Sequence, residues 1–364
     1  MENRIYQIAL SLLNGVGSVK AKLLAQHYPE LEFLFKDKHI HKLSVEGIGR
    51  EKLLHLNREQ AIDKARQEIE FLEEHGVSHY FYKDPNFPAA LNETHDGPIN
   101  LFTLGKVELN ARNIAIVGTR KSTNYGKKMT DQLVEGLAHY PVQIVSGLAH
   151  GIDKYAHEAA LRNDLPTIGI LGHGLDTLYP AAHRSLARKM MEKGGLVTEF
   201  VSGVVGDPQN FPRRNRIVAG LCEATVVVES SESGGSMITA NLANDYNRDV
   251  YAFPGFVDKE SSKGCNNLIK RGKAHLISSA EDIVESLQLK EDRTKLSSEL
   301  QNIFEDLNKD ESLIINYLKT HGATLIDELS SRLGFSIADL SLHTFNLQMK
   351  DLVISLSGDR IDLK

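Results

Sequence analysis

The arginines of this chain stand where they could hold phosphate. Arg213, Arg214 and Arg216 crowd the segment FPRRNRI (Phe211–Ile217), beside a proline and the aromatic Phe211. Guanidinium forks grip phosphate oxygens bidentately, and an aromatic or guanidinium face stacks on an unpaired base. A surface salt-bridge patch is the plain alternative for such a run. A fourth arginine, Arg120, closes the turn Gly118-Thr119-Arg120, and SGLAHGID (Ser146–Asp153) supplies Ser146, Gly147 and a helix start that suits an anionic backbone. Asp153 is as well suited to capping that helix. Ser233-Gly234-Gly235-Ser236 reads as a second anion-cradling turn, with Gly235 and Ser236 opening the next helix; a flexible loop is its alternative. Neither GxGxxG nor GxxxxGK[ST] occurs at Gly118, so this turn is no standard dinucleotide or P-loop signature.

Bond-breaking chemistry finds less support. Ser146, His150 and Asp153 fall within one short turn without a GxSxG elbow, whereas a triad needs its base brought across the nucleophile from elsewhere in the fold. Paired acids are absent, and His39, His41 and His55 lack ligand spacing, so neither a metal nor a cofactor is expected. The residues describe a binding site rather than an enzyme.

These residues need a scaffold that brings distant loops to one edge. Apolar runs at Ile114–Val117, Val142–Ser146, Thr167–Leu171, Leu196–Glu199, Thr225–Glu229, Val250–Phe253 and His275–Ile277 each spill into a polar or glycine-rich turn, with helical stretches between. That alternation predicts an α/β fold: an extended, Rossmann-like parallel sheet whose ligands bind beyond the carboxyl ends of the strands. Gly118, Arg120, Ser146, Gly147 and the 233–236 turn would share that edge. The long interruption Phe200–Gly220 reads as a functional loop carrying the arginine cluster. Upstream, Ser78–Leu91 and Ile99–Gly105 look like strands that extend the sheet.

Two further domains flank the core. Residues 1–75 predict an all-α helix-hairpin-helix (SAM-like) domain: Leu12–Leu24 and Lys42–Leu54 each read as helix, glycine turn, helix. Gly15 and Gly17, then Gly47 and Gly49, would allow tight turns whose amides can meet a DNA phosphate, although paired hairpins can also pack as a domain that touches no DNA. The helix Arg58–His75 follows, with Gly76 as its stop. The core spans 76–288, and a charged linker runs over 289–310. Residues 311–364 give three amphipathic helices and a hairpin turning at Ser357-Gly358-Asp359, a winged-helix pattern. Its recognition helix, Ser336–Asp351, has one lysine, Lys350, against Asp339 and Asp351, which favours a protein-docking or structural role over base reading.

A net charge of -6 argues against diffuse, histone-like DNA binding and confines any nucleic-acid site to a local patch. Cys222 and Cys265 read as reduced thiols, and no signal peptide or membrane-length apolar run is evident, so a cytoplasmic location without membrane contact is expected.

The chain resembles the DNA-processing protein A (DprA, also called Smf) family. The resemblance is carried by DPxFPxxL (Asp84–Leu91), GTR (Gly118–Arg120), SGLAxGID (Ser146–Asp153), LGxGLDxxYP (Leu171–Pro180) and FPxRNRIxAGL (Phe211–Leu221). It continues through ESGGSMITA (Glu232–Ala240), Pro254-Gly255 and NxLIxxG (Asn266–Gly272). It implies a single-stranded-DNA-binding protein of natural transformation and recombination, usually a homodimer, that protects incoming DNA and loads the RecA recombinase onto it. Its strand-end pocket would include Arg120, Ser146, Gly147, Arg214, Asn215 and Arg216, with Gly235 and Ser236 nearby; His150 stands where family members often carry arginine. For the dimer, helices on the Rossmann flank such as Ile217–Cys222 and Met237–Tyr246 are candidate surfaces. From another class, a nucleotide-processing Rossmann enzyme related to nucleoside-monophosphate phosphoribohydrolases resembles PGGxGTxxE where this chain has ESGGSMITA, without that pattern's glutamate.

Overall fold

A computed structural model of the chain describes residues 2–40, 47–291, 307–350 and 352–363. The start of the second predicted hairpin and most of the predicted linker lie outside these residues. The chain forms two compact units, Met1–Lys290 and Glu291–Lys364.

Among the described residues the larger unit is built on nine strands: β1 Ser78–Phe81, β2 Asn100–Gly105, β3 Arg112–Val117, β4 Val142–Ser146, β5 Thr167–Ile170, β6 Gly195–Thr198, β7 Ala224–Val227, β8 Asp249–Ala252 and β9 His275–Leu276. Its helices are α1 Glu2–Ser11, α2 Ser18–His27, α3 Leu31–Lys36, α4 Arg50–Leu54, α5 Arg58–His75, α6 Ala89–Asn92, α7 Asn124–Gly136, α8 Ile152–Arg162, α9 Arg184–Met190, α10 Asn210–Leu221, α11 Gly235–Asp245, α12 Glu260–Lys270 and α13 Glu281–Ser286.

The strand order is β1-β2-β6-β5-β4-β3-β7-β8-β9, parallel from β6 through β9, with β2 and β1 added antiparallel. From β3 the chain winds outward through β4, β5 and β6, then returns to lay β7 on the other side of β3, in register Val117 opposite Val227. The reversal opens a crevice at the carboxyl ends of β3 and β7, where open α/β sheets take their ligands. Alternation along β3 explains why both faces are covered. Ala115 and Val117 pack with Ile217, Val218 and Ala240 of α10 and α11 on one face. Ile114 and Ile116 pack with Leu133 of α7 and Ala156 of α8 on the other.

The N-terminal helices merge with this core. Ile8, Leu24, Leu34, Leu53 and Leu72 share one apolar cluster with Phe81, Ile99 and Phe102 of the antiparallel flank. Polar bonds reinforce the seam: Asn100 Nδ2 donates to the Gln7 carbonyl (3.0 Å), and buried Glu68 on α5 accepts from the Ser202 amide (2.8 Å) and hydroxyl (2.5 Å). Gly76 ends α5 at φ 64°, its N–H donating to the Leu72 carbonyl.

One expectation is corrected. Phe200–Gly220 is not loop throughout, because its second half is α10. Pro212 reads as a turn marker in the sequence, but it occupies the helix's first turn, where no intrahelical N–H is required. The run from Ile217 to Leu221 is buried and commits the segment to the sheet.

In the smaller unit, helix Lys309–His321 begins with a capping box between Asn308 and Glu311. Helices Ile326–Leu333 and Ile337–Met349 follow, and β10 Thr324–Leu325, β11 Val353–Leu356 and β12 Arg360–Leu363 form an antiparallel sheet in the order β10-β12-β11. Ile314, Leu318, Leu329, Leu340, Leu347 and Ile361 make its core. Helix Ile337–Met349 also exposes Leu342, Phe345 and Met349. Among the described residues no helix is long and apolar enough to cross a membrane, and no group of His, Cys, Asp and Glu is placed to hold a metal ion.

Buried histidines set an acid limit on stability. The Thr167 hydroxyl donates to the Ile144 carbonyl (2.9 Å), so it accepts from His157 Nδ1–H (2.6 Å), leaving His157 Nε2 without a partner among the described residues. Burial pushes the His157 pKa down to about 3 from 6.5. The unfolded chain therefore takes up this proton first. Stability should begin to fall as pH drops through about 6.5 and keep falling until about 3, by about 5 kcal/mol at most from this residue. Acid titration followed by circular dichroism should show a shallower decline in His157→Gln than in the wild type.

Candidate functional site

The crevice between β3 and β7 is a cleft of about 530 Å³. Backbone bonds fix its floor: Thr119 N–H donates to the Glu229 carbonyl (2.7 Å), and Ile152 N–H donates to the Thr119 carbonyl (3.2 Å). These bonds tie together the loops leaving β3, β4 and β7. The buried Glu229 carboxylate braces the first of them by accepting from the Thr123 amide and hydroxyl, both at 2.9 Å. Sequence reasoning missed this residue. Its only signal was an acid at the end of an apolar strand.

Helical geometry divides the arginine cluster. Phe211, Arg214, Asn215 and Val218, at i, i+3, i+4 and i+7 on α10, all line the cleft. Arg213 and Arg216, three apart, face a different cavity against the N-terminal helices. Arg214 is 4% exposed and donates from Nη1 to the Ile170 carbonyl (2.6 Å), while its Nε has no partner among the described residues. Burial pulls its pKa down to about 10 against the attraction of Asp153, so it remains a cation at neutral pH. Its guanidinium lies where a side chain at 147 would begin: a Cβ there would collide with it. Gly147 is therefore required by a close approach and not by its backbone angles.

Arg216 is committed elsewhere. It forms a buried ion pair with Glu199 and donates to the Asp96 carbonyl (2.6 Å), so it joins α10 to the β6 end and is not free for a ligand. Ser146 is likewise structural, its buried hydroxyl donating to the Ile116 carbonyl (2.6 Å). Asp153 neither caps its own helix nor joins a triad. It accepts from the Gly147 (3.1 Å) and Ala149 (3.4 Å) amides and holds the SGLAHGID loop in shape. Burial pushes its carboxyl above the ordinary range, and Arg214 and those amides pull it back. His150 is exposed, its ring against that of His183 at 4.8 Å.

What faces the open cleft is a short set of groups. Arg120 is exposed, with its guanidinium over the Phe211 ring at 5.6 Å. Tyr179, 54% exposed, lies beyond Phe211 with ring centroids 5.9 Å apart. Sequence reasoning did not place Tyr179 at the site. The pairing of Leu171–Pro180 with Phe211–Leu221 could be seen only after folding. Gly118 underlies the cleft at the β3 end. On the far wall α11 begins at Gly235, whose carbonyl accepts from Asn215 Nδ2 (3.5 Å), and the amides of Gly235 and Ser236 at its start have no partner within the helix. Ser236 spends its hydroxyl on Ser230 Oγ (2.8 Å) and offers only backbone. The cleft thus presents an exposed cation, a buried cation beneath a glycine, amides and an aromatic face. Those groups suit phosphates and stacked bases and have no pattern for reading base edges.

Of the predicted hairpin glycines, Gly15 (φ 64°) and Gly17 line the cavity shared with Arg213, whereas Gly47 and Gly49 do not. Val16 and Ile48 plug the two turns, and the first turn is tied to the start of α5 by bonds from the Asn14 amide to Asn57 Oδ1 (2.7 Å) and from the Asn57 amide to Asn14 Oδ1 (3.1 Å). Of the two candidate dimer surfaces, Ile217–Cys222 is buried and unavailable. Exposed apolar residues of this unit instead include Phe256 and Val257 after β8, and Leu276 on the outermost strand β9.

Comparison with known proteins places this architecture. Residues 78–288 match the family described as DNA recombination-mediator protein A. The chain is 37% identical to Protein Smf of Synechocystis over 78% of its own length and 72% of that protein's. It is 38% identical to the DNA processing protein DprA of Streptococcus pneumoniae over 57% of its own length and 76% of that protein's. The X-ray structure of DprA from S. pneumoniae superposes with a TM-score of 0.65 at 29% identity, covering 77% of this chain and 97% of that one. DNA processing protein A of Helicobacter pylori, whose structure concerns a single-stranded-DNA binding mode, superposes with a TM-score of 0.53 at 29% identity over 58% of this chain and 95% of that one.

Proposed function

The chain belongs to the DNA recombination-mediator protein A family, and from that premise we propose that it binds single-stranded DNA in the β3/β7 cleft, shields the strand during transformation and recombination, and presents it to RecA. The observation that carries this reading is the convergence of exposed Arg120 with Phe211 and Tyr179 above buried Arg214. Together they offer one cation for direct phosphate contact, the field of a second beneath it, and a platform for unpaired bases. A duplex hides its base faces and gains only part of these contacts. Gel-shift titration should therefore show single strands bound more tightly than double strands of the same length; equal binding would sink the reading. Ser146 and Asp153 are bonded to the backbone around them and not to each other through His150, which supports holding over hydrolysis. Release of base from a nucleoside monophosphate would instead favour the nucleotide-processing reading.

The same reading assigns the flanks. The C-terminal unit is a winged helix whose third helix shows Leu342, Phe345 and Met349 to solvent, a surface suited to protein contact more than to phosphates. Removing residues from 308 onward should leave single-strand affinity within about twofold, since the phosphate-binding groups all remain. A tenfold loss would show that this unit touches DNA. We assign the homodimer to the β9 edge with Leu276, Phe256 and Val257, because an unpaired edge strand beside exposed apolar side chains invites a second copy. Two clefts in one dimer would hold a strand more persistently through effective concentration. A Leu276→Glu chain that runs as a monomer should load RecA poorly while still binding DNA, measured by displacement of a single-strand-coating protein.

A further inference from the structure

The cavity on the other side of α10 is unused by this cleft. It has a volume of about 580 Å³ and lies between the Gly15-Val16-Gly17 turn, Ser18–Lys20 of α2, Asp96 and the arginines of α10. Besides Arg216, two cations from two elements line the groove, and a third reaches its edge at Gly15. Arg213 reaches it from α10, held over the Phe200 ring at 5.1 Å. Lys20 comes from α2. Lys52 comes from the second hairpin, its Cε and Nζ standing 2.5 and 2.7 Å from where a Cβ on Gly15 would lie. None of the three forms an ion pair among the described residues. Arg216 is neutralised by Glu199, and the Asp96 carboxylate, which accepts from the Tyr246 hydroxyl (2.5 Å), offsets only one of the three remaining charges. The groove therefore keeps a positive surplus in a chain whose net charge is -6. A folding role alone leaves that surplus unexplained, because like charges gathered without partners cost stability. Gly17 leaves the approach open: a Cβ there would meet nothing within 4 Å.

We propose that this groove continues the strand path: single-stranded DNA leaving the β3/β7 cleft crosses the first turn of α10 and lays its next phosphates against Arg213, Lys20 and Lys52. The proposal rests on the reading of the cleft as a single-strand site. Arg213 and Arg214 are neighbours in the chain, their Cα atoms about 3.8 Å apart, so the first turn of α10 is what separates the two cavities. The N-terminal hairpin then lengthens the bound segment and imposes a direction on it, since one end of the strand lies in the cleft and the other against the hairpin. Its chemistry is phosphate binding without base readout.

Oligonucleotide length tests this directly. Oligothymidylates of ~6 and ~20 nucleotides separate a cleft-sized ligand from one that reaches the groove. In the full-length chain carrying Lys20→Ala and Lys52→Ala, the longer oligonucleotide should bind about tenfold more weakly, with its salt slope reduced by about 0.7 for each phosphate no longer neutralised. The shorter one should bind as it does to the wild type. Lys20→Glu alone should show the same length dependence, which guards against a folding defect in the double variant. Unchanged affinity at both lengths, or an equal loss at both, would overturn the proposal. Failure of the cleft reading looks different: the wild type would then not bind the short oligonucleotide.

Discussion

Arg120→Glu should weaken single-strand binding by roughly ten- to a hundredfold and flatten its salt dependence, because an exposed charge-assisted phosphate contact is replaced by repulsion. The side chain is exposed and makes no ion pair among the described residues, so the fold does not depend on it. Melting temperature should stay close to that of the wild type. Giving up one phosphate on a single strand lowers the slope of log K against log salt by about 0.7. Arg120→Ala should give that slope with a smaller loss of affinity. The decisive measurement is a fluorescence-anisotropy titration at several salt concentrations. Affinity and slope both unchanged in a folded Arg120→Glu chain would remove the cleft from the DNA path.

Arg214→Ala should act on stability first. Asp153 is buried, and the Arg214 cation is the main attraction that offsets the cost of burying its carboxylate. Arg214 and Asp153 form no ion pair among the described residues, so what is lost is that longer-range attraction and the charged bond to the Ile170 carbonyl, about 2–3 kcal/mol, which for a unit of this size lowers the melting temperature by about 5–10 °C. Arg214→Lys should fall between, because it keeps the charge but loses the fork that reaches the Ile170 carbonyl. Gly147→Ala should mimic the loss, since its methyl displaces the guanidinium. The pH dependence carries a sign. Burial raises the folded pKa of Asp153 above its unfolded value, so its contribution is most favourable below the unfolded value and is lost as pH rises through the folded one. Without Arg214 that folded pKa rises further. The deficit of Arg214→Ala should therefore shrink on mild acidification, and a deficit that is constant or grows would contradict the coupling. Calorimetry across that range decides it.

These two arginines show how far residue patterns reach. The strands were readable because short, near-continuous apolar runs ending in polar or glycine-rich turns are too short for buried helices, and β3, β4, β5, β7 and β8 lie within a few residues of the expected positions. The location of the site followed from the same reading, since strand ends in a parallel sheet converge whatever the side chains are. The family was legible because GTR, SGLAxGID and FPxRNRIxAGL are long, specific and widely spaced. Residue roles were not, because charge in a sequence has no direction. Arg213, Arg214 and Arg216 read as one patch, and a loop around Pro212 would have kept them together. Once that segment is a helix, 100° per residue sends Arg214 under Gly147, Arg216 to Glu199 and Arg213 toward the hairpin. Ser146, at the end of buried β4, and Asp153, in the first turn of α8, changed role for a related reason: buried polar groups must first satisfy the backbone around them. Composition and periodicity determined the elements and the edge where they open. Which side chains remain free to meet a ligand was decided by burial and hydrogen bonding, which depend on partners tens to hundreds of residues away.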